Sequence, residues 1–116
     1  MNAHDFVNAI RTHVMEAAAS DSILLVTTPP GRSPERELVE LNAWYSRLAK
    51  DDQVMLERFA AIVAHAATFG MFAVLDQSRK IDPDSDGEDY FELRHVRTEA
   101  TDILCGPNGA VLHELL

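Results

Sequence analysis

Cysteine occurs once, at Cys105, so no internal disulfide can form and nothing in the chain calls for an oxidising compartment. Basic residues are scarce: ten Lys and Arg stand against nineteen Asp and Glu, a formal net charge of −9. A field of that sign repels phosphate backbones and anionic headgroups, which argues against nucleic acid and membrane surfaces; it speeds encounter with a basic partner or simply keeps the protein soluble. Residues Met1 to Phe6 hold no cationic stretch leading into an apolar core, so no secretory leader is read there and the expected location is cytoplasmic. Long hydrophobic runs are also few. Phe59 to Leu75 carries no charge and reaches the lower end of the roughly 17–25 residues that span a bilayer, but its six alanines, His65, Thr68 and Gly70 suit a helix buried in protein. Arg supplies eight of the ten basic residues and alanine is abundant, a composition associated with GC-rich bacterial genomes.

What the chain does contain is an ordinary globular balance. With 116 residues, 47% hydrophobic and 25% charged, it is expected to form a single domain over 1–116 with one core. Phe6, Val7, Ile10 and Val14 recur at helical spacing over His4 to Ala18, with Asn2 placed to cap. Ser22 to Thr28 is a short apolar run closed by Pro29-Pro30-Gly31 and reads as an extended segment or edge strand. Ser33-Pro34-Glu35 supplies a cap, a first-turn proline and an acid, the start of a second helix with a stripe at Leu38, Leu41, Tyr45 and Leu48. Asp51 and Asp52 open a third helix, expected to pair with the second as a hairpin. Its buried stripe is Met55, Phe59, Ile62, Ala66 and Phe69, and its end falls near Lys80 with Gly70 marking a bend or close contact. From Phe59 onward apolar residues surround the helix, as in a central element packed on several sides. Tyr90 to Thr98 reads as a strand, and Thr101 to Cys105 with Ala110 to His113 flank the turn-forming Gly106-Pro107-Asn108-Gly109 as a hairpin. The fold class is therefore α+β, with three helices, the third long and central, beside a small C-terminal antiparallel sheet.

The charge is concentrated. Asp82, Asp84, Asp86, Glu88, Asp89 and Glu92 are six acids with no base among them, and the rest of the chain has a net charge of only −3. Asp82-Pro83-Asp84-Ser85-Asp86-Gly87 resembles the first half of an EF-hand calcium loop, with carboxylates at alternate positions and a glycine after the third. The resemblance extends only to Asp82, Asp84 and Asp86 as tentative calcium ligands. The twelfth position, which should carry a bidentate Glu, is Leu93, and Glu92 falls one residue early. A solvated turn selects the same residue types.

No enzyme signature is present. His4, His13, His65, His95 and His113 lack H-x-x-x-H spacing, and there is neither a phosphate-binding glycine loop nor a nucleophile elbow. His65, in the most apolar helix, reads as a hydrogen-bonded core histidine. Cys105 with His95 or His113 would make an assembled thiol site only if the thiol were exposed, and Ile103-Leu104-Cys105 more naturally buries it. Trp44 is either a core residue or an interface anchor. The function class that remains is a small protein-binding module, such as an inhibitor or immunity-type protein, meeting a basic partner through Asp82, Asp84, Asp86, Glu88, Asp89 and Glu92 with Trp44. Calcium binding and a His/Cys enzyme are the alternatives, and self-association across a two-fold axis is a further class of partner.

Overall fold

The computed structural model describes residues 1–116 and shows an α+β protein. The elements run α1 (Ala3–Ile10), a π-helical segment (Arg11–Glu16), α2 (Ala17–Thr27), α3 (Arg36–Arg47), α4 (Lys50–Leu75), β1 (Leu93–Val96), β2 (Thr101–Cys105) and α5 (Leu112–Leu115). They fall into two compact units, one made of Met1–His13 with Ala66–Leu116 and the other of Val14–His65. Helix α4 contributes to both.

The first unit contains the core. Asn2 caps α1 as its position implies, its Oδ1 accepting from the Asp5 amide at 2.8 Å. Helix α1 buries Val7, which meets Phe72, Cys105 and Leu112, with Phe6, Ile10, Leu75 and Leu93 packed around them. The Phe6 and Phe72 rings sit 6.2 Å apart and tilted, within the preferred range for aromatic pairs. Strands β1 and β2 pair antiparallel through Arg97–Ala100, with Val96 opposite Thr101 and Leu93 opposite Cys105. The sheet has these two strands alone, and the strand expected over Tyr90 to Thr98 shortens to Leu93–Val96.

The other expected hairpin fails. The turn at Gly106–Gly109 exists, Gly109 donating to the Gly106 carbonyl, but the chain beyond it forms α5. Leu112, Leu115 and Leu116 pack against the core from that helix, and Arg11 holds its end by donating to the Leu115 and Leu116 carbonyls. A run that packs on one helical side and has its last carbonyls capped is better satisfied than one added to a two-stranded edge.

The second unit is helical. Residues 22–27 of the run expected to be extended belong to α2: the preceding alanines propagate the helix through the half-buried Ile23 and Val26, Thr28 leaves it, and Pro29 and Pro30 follow. Helix α3 starts two residues later than its signals suggest, with Glu35 rather than Ser33 at the cap and no side-chain cap bond. It packs on α2, and Gln53 of α4 donates to the Tyr45 carbonyl at 3.0 Å. Asn42 joins the pair by donating to the Val26 carbonyl at 2.8 Å and the Thr27 carbonyl at 3.2 Å, two of the orphan acceptors at the end of α2.

Candidate functional site

Helix α4 turns several of its largest apolar side chains outward in its first two thirds. Over the part belonging to the second unit, the partly covered positions are Gln53, Leu56, Ala60 and Ala64. The stripe read from the sequence as buried faces solvent instead: Met55 is 57% exposed, Phe59 60% and Ile62 65%. The helical period itself is as expected, since 55, 59 and 62 do share a face. The direction is reversed because Ala60 and Ala64 form the covered side. Tyr45 is the only buried residue of the second unit, while Val39, Leu41 and Trp44 on α3 are exposed. His65, expected in a core, is also exposed. Helix α4 is the one helix whose length and apolar composition would allow a membrane crossing.

The end of α4 carries a polar arrangement that sequence reading did not find. The helix stops at Leu75, five residues before the expected end. Gln77 adopts a left-handed backbone, with φ of 63°, and the Asp76, Gln77 and Arg79 amides close the last turn on the Phe72, Val74 and Ala73 carbonyls. Asp76 Oδ2 accepts the backbone N–H of His113 at 2.8 Å and faces its ring Nδ1 at 2.9 Å. An ionised Asp76 only accepts, and the ring contact is then a hydrogen bond donated by Nδ1–H. The Asp76 side chain is 2% exposed and its Oδ1 lacks a partner, while Phe69 lies edge-on to the His113 ring, with centroids 5.2 Å apart. Asp76 thus ties the end of α4 to the start of α5.

The pair lacks a nucleophile to activate. Cys105 is 0% exposed, its thiol points at the Leu75 carbonyl at 3.9 Å, and burial pushes its pKa up, which disfavours the thiolate. His95 lies on β1 opposite Asp102, with its Nδ1 buried and unpaired.

The acidic loop folds mostly onto itself. Asp82 Oδ1 accepts from the Asp84 amide and Asp86 Oδ1 from the Glu88 amide, both at 2.9 Å, the local bonding of Asx turns. Ser85 Oγ donates to Asp89, Lys80 Nζ donates to the Ser85 carbonyl, and Glu92 is taken by Arg94 on β1. Gly87 has φ of 85°, the conformation for which glycine is suited. No three acidic, His or Cys side chains converge here or elsewhere as a metal site, so the structure does not bring Asp82, Asp84 and Asp86 together as ligands. A cavity of about 330 Å³ opens beside this loop, walled by Val74, Ile81, Tyr90 and Phe91, with Arg79 and Lys80 at its polar side. Gly70 meets the Arg79 side chain, not another helix: a Cβ there would lie 2.5 Å from Nη1.

No protein-family model, curated protein or solved structure matches the chain.

Proposed function

We propose that the chain is a small protein-binding module whose docking surface is the outward stripe of α4. The observation that carries this reading is the exposure of Met55, Phe59 and Ile62 on one helical face. Contiguous large apolar side chains on a surface are the mark of an interaction site, and exposed aromatic residues are the usual anchors. Phe59 and Trp44 are the two aromatic anchors that the second unit presents. The six-acid loop adds long-range attraction toward a basic protein, as an inhibitor or immunity-type module would use it, and the chain as a whole repels nucleic acid. An intracellular setting fits a chain with one thiol. A buried, unactivated Cys105 and the self-bonded Asp82 and Asp86 favour this reading over the enzyme and calcium alternatives.

A photo-crosslinking residue placed at position 59 in the native host tests the proposal. A covalent adduct to a polypeptide is expected from that site and not from Arg36, whose side chain is 92% exposed on α3. Absence of any polypeptide adduct at 59 would remove the reading.

A further inference from the structure

We infer that the cavity beside the acidic loop is a binding site for a small monocarboxylate with an apolar or aromatic body, its carboxylate held by Arg79. The site stands apart from the protein-binding stripe and does not depend on it, since every wall residue belongs to the first unit.

A volume of about 330 Å³ lies at the small end of the roughly 300–1,000 Å³ of small-molecule sites. Ile81, Tyr90 and Phe91 line the cavity and remain about half exposed, and Val74 from the last turn of α4 completes the apolar wall. Three large apolar side chains gathered around one hollow are surface that an apolar ligand body removes from water. Sites of this kind are mostly apolar, and a few charged groups fix the ligand's orientation.

Arg79 is the charged group placed to do so. Its amide donates to the Ala73 carbonyl at 3.0 Å, which folds residue 79 back beside the end of α4, and its guanidinium lies against Gly70. Gly70 is buried, and a glycine inside a helix is destabilising relative to alanine. A Cβ at position 70 would lie 2.5 Å from Nη1, so what this glycine admits is the guanidinium. The four ion pairs of the described residues all leave Arg79 out, although the run of six acids begins only at Asp82. A planar fork of donors with no carboxylate of its own fits a carboxylate from outside.

The remaining charges decide the class of anion. Lys80 Nζ donates to the Ser85 carbonyl at 3.0 Å, Ser85 Oγ donates to Asp89, and Asp82 Oδ1 accepts the Asp84 amide. Arg79 is the cation left uncommitted. Asp82 and Asp89 stand in the same wall, and a dianion such as a phosphate monoester meets their repulsion with twice the charge. A monocarboxylate makes the one fork and adds no more. Where the ligand also carries an ammonium, Asp82 or Asp89 accepts it, so arylalkanoates and apolar amino acids share the chemistry.

Titration of the whole isotope-labelled chain, followed by NMR, tests the site with four probes taken to about 10 mM: 3-phenylpropionate, L-phenylalanine, phenethylamine and phenyl phosphate. Saturable shifts at Val74, Ile81 and Phe91 are expected with at least one of the two carboxylates, at a dissociation constant below about 1 mM. The tighter of the two tells whether an ammonium belongs to the ligand. Arg79→Gln is expected to weaken binding at least about tenfold, as is Gly70→Ala, which displaces the guanidinium while keeping every charge and favouring the helix. Unchanged amide shifts away from the cavity report that both variants are folded. No saturable shift with either carboxylate overturns the inference. So does binding of phenethylamine or phenyl phosphate as tight as that of the carboxylates, or an affinity that both substitutions leave unchanged.

Discussion

Asp76 concentrates more consequence in one side chain than any other residue of the first unit. Its Oδ2 serves two donors of His113, and it is nearly inaccessible to water. Asp76→Ala leaves a buried amide and a ring N–H without acceptors, at about 2–4 kcal/mol, measurable as a lowered urea midpoint. Cys105 supplies a second prediction at this scale. Because burial raises its pKa, the neutral thiol's contribution to stability is complete below its unfolded value of about 8.5 and is lost as pH rises through the folded one. Stability is therefore expected to decline on the alkaline side more steeply in the wild type than in Cys105→Ala, and thiol reagents are expected to label the native protein only as fast as it opens. Sequence reading found the thiol and its burial from the apolar Ile103-Leu104 before it. It missed Asp76, since the partner lies 37 positions away and no spacing rule links a helix-ending aspartate to a histidine beyond a two-stranded sheet.

At the scale of elements, local signals were legible where the chain's own neighbours decide the outcome. The Asn2 cap, the α4 start beside Asp51 and Asp52, and strand β2 are all of this kind. They failed where a distant surface decides it. The apolar run over residues 22–28 reads as extended, yet continuing α2 pairs it with α3 and lets Asn42 cap the helix end. Asn42→Ala should consequently cost about 1 kcal/mol, and more than Ser46→Ala, whose hydroxyl only bonds back to its own helix at Asn42. Thermal unfolding of the two variants makes the comparison. The outward stripe of α4 is the instructive case. Periodicity reports which residues share a face but not what they face, so Met55, Phe59 and Ile62 were grouped correctly and assigned to the wrong environment.

The whole molecule combines one unit whose core is closed by Val7, Phe72, Cys105 and Leu112 with another whose only buried residue is Tyr45. Amides of β2 and of α4 beyond Gly70 should exchange slowest, while those of α3 and residues 50–63 should exchange through much cheaper openings in dilute protein. The same asymmetry bears on turnover: an uncovered aromatic and aliphatic stripe is what chaperones and proteases engage, so covering Phe59 and Ile62 is expected to lengthen the chain's lifetime.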